Sequence, residues 1–363
     1  MHPVDPRPYD ALLLVSFGGP ERPEDVVPFL ENVTRGRGIP KERLEQVGEH
    51  YFLFGGRSPI NDQNRAFLSA IKEDFAGNGL DVPLYWGNRN WDPYLVDAVT
   101  QMRDDGVRRA ACFVTSAYSS YSSCRQYREN LADAVAAVEG APRLDRLRQY
   151  YNHPGFVEAV VDATLTALAD LSEEAREGAR LVFVTHSIPE SMNDASGPRG
   201  GAYLAQHRSV AGEVAERVHQ EIARRMPHDL VFCSRSGAPH IPWLEPDVND
   251  HLERIAKEGA TGAVLVPVGF VSDHMEVIYD LDTEALATAE RLGLPTVRAA
   301  TAGLDPRFVA VVRDLLLERA ASERSETVTR ACVGSLGAGP DRCAVGCCSN
   351  PREARPALGG MDS

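Results

Sequence analysis

No apolar run in this 363-residue chain approaches the roughly 20 residues needed to span a bilayer, so no transmembrane segment is expected. The opening Met1-His2-Pro3-Val4-Asp5-Pro6-Arg7 lacks the basic and apolar regions of a signal peptide, and the expectation is a cytoplasmic protein. Basic residues are in deficit. Lys and Arg number 38 against 52 Asp and Glu, a formal charge of −14 that argues against nucleic acid as a partner. An anionic small ligand stays open, because local arginines can override the net field. No sequence repeat of short period is present, which excludes a solenoid. Cysteine is sparse in most of the chain, where Cys112, Cys124 and Cys233 are scattered, but Cys332, Cys343, Cys347 and Cys348 crowd into its end. A disulfide framework is not expected in a reducing compartment. Four thiols in a short Gly-rich tail read as an iron–sulfur site or a zinc site, and spacing alone does not choose between them.

The chain is 43% hydrophobic and 25% charged, with length for two domains and ample core. Short apolar runs alternate with amphipathic stretches almost from end to end. Strands are expected at 11–15, 83–86, 111–114 and 144–151, with helices at 24–32, 95–102, 127–138 and 156–171. The second half repeats the pattern: strands near 181–184, 230–232, 263–268 and 296–299, helices at 203–226, 248–257 and 275–292. A last helix, 307–321, is expected to return to the first domain. The fold class implied is α/β, two doubly wound domains with parallel sheets facing a central cleft. Domain I spans 1–170, completed by 305–322; domain II spans 171–304; a cysteine-rich tail occupies 323–363.

The chemistry-bearing residues sit just past the expected strands, where such sheets bind ligands. They include Ser16-Phe17-Gly18-Gly19, Gly87-Asn88-Arg89-Asn90, Thr115-Ser116-Ala117-Tyr118 and Cys233-Ser234-Arg235-Ser236-Gly237. The most informative pair is Thr185-His186-Ser187-Ile188-Pro189 and Ser272-Asp273-His274-Met275-Glu276. A histidine past one strand and an acidic segment past another can face each other across a cleft, and can move protons, hold a divalent metal, or do both. Bland readings stand beside these. Asp273 is placed as a helix N-cap with Glu276 three residues on, as in a capping box. Asp280 and Glu284 continue a helix face from Glu276, either a metal-conducting ridge or a solvated surface. Cys112 and Cys233, inside strands, read as small core residues.

With Leu14-Val15-Ser16-Phe17-Gly18-Gly19-Pro20, Gly55-Gly56-Arg57-Ser58-Pro59-Ile60, the two motifs above and the continuation Val277-Ile278-Tyr279-Asp280, the chain resembles the ferrochelatases. The ordered motifs together are highly specific. The resemblance implies two Rossmann-like domains, chelatase-like, with a porphyrin between them and Fe²⁺ as the second substrate. It implies His186 and Glu276 as catalytic and metal-contacting residues. Phe17, Tyr51, Tyr118 and Tyr127 become candidates for the porphyrin walls and rim, Arg35 and Arg37 for propionate binding, and Ser58 and Tyr127 match substrate-contacting positions. Some relatives carry Tyr at the position of Phe17; a phenyl ring cannot ligate iron, so more of the metal chemistry falls to His186.

The acidic composition and the tail look most like the actinobacterial branch, which implies coproporphyrin III as substrate and a downstream haem-synthesis enzyme as a transient partner. Some members bind a [2Fe–2S] cluster through three C-terminal cysteines and one internal cysteine. The internal position aligns with Ala159 here, so Cys332, Cys343, Cys347 and Cys348 are the expected ligands, with Cys124 as the internal alternative. Rival readings are a chelatase for another metal or tetrapyrrole, and a non-catalytic tetrapyrrole carrier or haem and redox sensor.

Overall fold

Ala11–Ser16 (β1) is buried at every position, as a strand covered on both faces must be. It pairs in parallel with Leu84–Asn88 (β2) and Arg109–Val114 (β3), and β3 pairs in parallel with Arg143–Arg146 (β4). The structure, a computed structural model, describes residues 4–36, 38, 40–238 and 240–361, so Arg37 lies outside the described residues. The second half repeats the arrangement with Ala179–His186 (β5), His228–Cys233 (β6), Gly262–Val266 (β7) and Thr296–Arg298 (β8). The two four-stranded sheets have orders β2-β1-β3-β4 and β6-β5-β7-β8, so each half is wound the same way.

The helices of the first half are Val26–Val33 (α1), Lys41–Phe52 (α2), Ile60–Gly77 (α3), Leu95–Asp104 (α4), Gln126–Ala137 (α5) and Pro154–Asp170 (α6). Those of the second are Glu173–Glu177 (α7), Glu190–Asp194 (α8), Ala202–Ile222 (α9), Val248–Lys257 (α10), Met275–Val277 (α11), Leu286–Leu292 (α12) and Pro306–Glu323 (α13). Two π-helical turns, Tyr121–Arg125 and Ile278–Ala285, lead into α5 and α12. Helices α2 and α3 had no counterpart among the expected elements. Helix α2 buries only Leu44 and Gly48, and α3 places Asn61 and Asn64 on its buried face, so neither shows a clean apolar period. No helix among the described residues is long and apolar enough to cross a membrane.

One core runs across both sheets. It joins Leu12, Leu14 and Phe113 of the first to Leu181, Phe183 and Val266 of the second, through α6, α9 and α13. Helix α13 packs on α3 and α6. Its Phe308 sits in an aromatic nest, with ring centroids 5.3 Å from Phe67, 5.7 Å from Phe156 and 5.9 Å from Tyr150. The tail beyond α13 is tied to the first half by backbone bonds, Val333 N–H to Asn152 O at 2.8 Å and Leu358 N–H to Arg128 O at 3.1 Å. Removing the Phe308 ring opens a cavity that its ring neighbours cannot fill. Phe308→Ala is expected to lower unfolding free energy by about 3–5 kcal/mol, read from urea melts; a loss near zero would mean that α13 does not hold the halves together.

Candidate active site

Parallel pairing brings the C-terminal ends of β5 and β7 to one edge, and with them the two histidine-bearing motifs. His186 ends β5, and its ring Nδ1 makes a short contact with the Ser187 carbonyl. A carbonyl oxygen only accepts, so Nδ1 carries the proton and Nε2 is left as the basic nitrogen. That Nε2 lies 3.8 Å from Glu276 Oε2, and His274 Nδ1 lies 3.9 Å from the same oxygen. Both partners reach solvent: the His186 and Glu276 side chains are 32% and 52% exposed. Burial holds the His274 imidazole below its ordinary pKa, with the Glu276 carboxylate opposing. Asp273 is bound by Arg298 at 3.2 Å, and its N–H donates to Gln63 Oε1 at 2.8 Å, so it ties the two halves together. The expected capping bond from Asp273 is absent: His274 occupies the N-cap of α11 and makes no side-chain cap.

Asp280 follows one turn after Glu276 on the π-helical segment. Burial raises its pKa to about 7, the Ser234 hydroxyl pulls it back by a short hydrogen bond, and the carboxylates of Glu276 and Glu284 push it up further. Asp280 therefore holds a proton more readily than an exposed carboxylate does.

The remaining candidate residues come from the first half. Phe17 follows β1 and packs edge-on against Phe29 at 6.3 Å; Phe29 in turn meets Tyr51 at 6.0 Å and Trp91 at 6.2 Å. Burial raises the Tyr51 phenol well above its ordinary pKa, and the Glu276 charge adds to this, which places α2 against the acidic segment. His50, its neighbour, stacks on Tyr279 with centroids 3.8 Å apart. Arg35 is exposed at the end of α1 and bonds Asn32. Arg89, in the loop after β2, was visible in the sequence only as part of a strand-end cluster. Its guanidinium lies between two rings, 5.4 Å from the Phe17 centroid and 4.9 Å from that of Tyr127. Its Nε is buried and has no acceptor among the described residues.

Three expected contact residues are covered. Tyr118 is 2% exposed; its hydroxyl donates to Val268 O at 2.9 Å and its ring stacks on His207 at 3.5 Å. It is a strut between the halves, a correction to its expected place on the porphyrin wall. Ser58 is buried against Gly19, where a Cβ would come within 2.8 Å of the serine's own Cβ. Tyr127 is buried, with the Arg89 guanidinium over its ring.

The cysteines also regroup. Cys343, Cys347 and Cys348 meet Cys124, from the π-helical turn before α5, in a buried cluster. Cys332 is not among them, which corrects the expected set: the next residue, Val333, is anchored to Asn152 and holds it elsewhere. Cys348 has φ +56°, a left-handed conformation that a non-glycine residue adopts at a cost, and its Sγ lies 3.7 Å from that of Cys347. Arg146 approaches Cys343 Sγ at 3.5 Å, and Gly197 N–H points to Cys348 Sγ at 3.2 Å. Among the described residues, no three His, Cys, Asp or Glu side chains stand arranged around a single metal-ion position.

The ferrochelatase family model matches residues 9–320. The chain belongs to the ferrochelatase family. It is 62% identical over 368 residues to the coproporphyrin III ferrochelatase of Streptomyces griseus, covering 99% of this chain and 98% of that protein. The coproporphyrin III ferrochelatase of Frankia alni is 56% identical over 348 residues, covering 95% and 88%. Among solved structures, SirB from Bacillus subtilis with Fe³⁺ is similar in fold, with TM-score 0.50 at 14% identity, covering 88% of this chain and 99% of that one.

A ferrochelatase-family cleft with a carboxyl group held near neutrality should show it in pH dependence. A raised carboxyl pKa means that the folded state binds the proton more tightly, so stability is lost as pH rises from about 4 towards 7. Between pH 5 and pH 8 the parent protein is expected to lose more stability in urea melts than Asp280→Asn, which keeps a neutral side chain throughout; equal losses would contradict the placement of Asp280.

Proposed function

We infer that this protein is a coproporphyrin III ferrochelatase, which inserts Fe²⁺ into the porphyrin with release of two protons, in haem biosynthesis. The observation that carries the reading is His186 Nε2, left basic by its Nδ1 contact and 3.8 Å from Glu276 Oε2, in a chain that matches the ferrochelatase family over residues 9–320. Pyrrole N–H protons must leave as iron enters. His186 Nε2 accepts them, the Glu276 carboxylate stabilises the imidazolium, and Asp280 and Glu284 continue the acidic path to solvent. The same carboxylates attract Fe²⁺ towards the ring. Phe17 gives a flat apolar face without a metal ligand, and the anionic rim finds cations at Arg35 and Arg89.

An anaerobic assay with Fe²⁺ tests this. The parent is expected to metallate coproporphyrin III with higher kcat/KM than protoporphyrin IX, because added carboxylates gain charge-assisted bonds. His186→Ala is expected to lose about 10²-fold or more in turnover, the usual contribution of a positioned base. A porphyrin bound but never metallated would turn the reading to a carrier; near-normal turnover by His186→Ala would remove the histidine from the chemistry.

The buried thiol cluster supports a [2Fe–2S] centre held by Cys124, Cys343, Cys347 and Cys348. Such a centre is anionic, and the buried Arg146 guanidinium and the Gly197 N–H lie where they offset charge on sulfur. When bound, it would supply one-electron redox chemistry; the insertion residues are separate from it. Iron-replete protein is expected to be reddish-brown, with about two irons and two acid-labile sulfides per chain. Cys124→Ser should bleach it and Cys332→Ser should not; the reverse would return the fourth ligand to the tail, and one zinc per colourless chain would replace the cluster.

A further inference from the structure

His186 is useful only if its ring is held, and among the described residues the ring itself makes one hydrogen bond, to its neighbour's carbonyl. Its backbone is held from behind. Tyr203, at the start of α9, is fully covered, and its hydroxyl donates to the His186 carbonyl at 2.8 Å. The same hydroxyl lies 3.0 Å from Thr185 Oγ1, which lies 2.9 Å from His207 Nε2. His207 Nδ1 in turn faces the Tyr203 carbonyl at 2.8 Å, one helical turn back. Burial depresses the His207 imidazole to about 3, so it is neutral. Nδ1–H then donates to the helix, Nε2 accepts from the Thr185 hydroxyl, and the Tyr203 proton is left for the His186 carbonyl. Both hydroxyl protons are then committed, Thr185 to His207 and Tyr203 to the His186 carbonyl, so the Thr185 and Tyr203 oxygens meet at 3.0 Å by packing and not by a hydrogen bond of their own. Tyr118 packs on the His207 face at 3.5 Å, so both halves of the molecule clamp the network.

We propose that Tyr203 and Thr185, backed by His207, are positioning residues that fix the His186 strand end against Glu276, so that they act on the turnover step and not on porphyrin binding. None of the three side chains is placed to touch substrate: all are buried behind β5. The proposal rests on His186 as the proton-accepting group.

Tyr203→Phe deletes one hydroxyl from the network, and Thr185→Val replaces the other by a methyl group. Both full-length variants are assayed anaerobically with Fe²⁺ and coproporphyrin III beside the parent and His186→Ala. Each is expected to lower kcat about tenfold while KM stays within about twofold, with porphyrin affinity by fluorescence quenching unchanged. If Thr185→Val does not fold, Tyr203→Phe decides alone. Parent-like kcat in Tyr203→Phe, or a rise confined to KM, overturns the positioning role while an inactive His186→Ala leaves the histidine in place. A fully active His186→Ala overturns the reading beneath it.

Discussion

Thr185 and Gly269 approach so closely that a Cβ on Gly269 would lie 2.0 Å from the Thr185 hydroxyl oxygen. That contact sets how the chain leaves β7 beside the end of β5, and the site depends on it. Parallel pairing fixes both strand ends on one edge, and the bare glycine lets the following loop fold over Thr185 towards His186. From there residues 270–276 carry Glu276 back to within 3.8 Å of the His186 ring. The hydroxyl beneath Gly269 is the one shared by Tyr203 and His207, so packing and hydrogen bonding converge on one buried atom.

The candidate residues of the two halves are opposite in charge, although the chain is acidic as a whole. The second half presents Glu276, Asp280 and Glu284; the first presents Arg35 and Arg89 among aromatic rings. The struts Tyr118 to Val268, Gln63 to Asp273 and His50 on Tyr279 span the halves and keep them in register. The core shared by both sheets does the same at larger scale, with α13 returning from the second half to seal the first.

Much of this was legible in the sequence, because fully buried parallel strands such as β1 and β7 read as plain apolar runs and end in unusual residues. His186 and Glu276 were visible for that reason. Helices α2 and α3 were not, because one is largely exposed and the other buries asparagines that serve the network around Ser16 and Asn88. Tyr118 looked like a ligand-facing aromatic from its strand-end place; only the position of His207, far along the chain, shows that it turns inward. Cys124 carried no local signal that set it above Cys332. Its partners lie more than two hundred residues away, and the left-handed turn at Cys348 that lets neighbouring sulfurs converge is a backbone property no composition reveals.

The central claim is that the porphyrin lies between Phe17 and His186, with its pyrrole nitrogens presented to the histidine. A crystal structure of the protein grown anaerobically with metal-free coproporphyrin III measures this directly. The account predicts the ring stacked near Phe17, a carboxylate near Arg89, and His186 Nε2 over the macrocycle centre. A ring bound outside this slot, or with His186 turned away from the nitrogens towards a carboxylate, would contradict it.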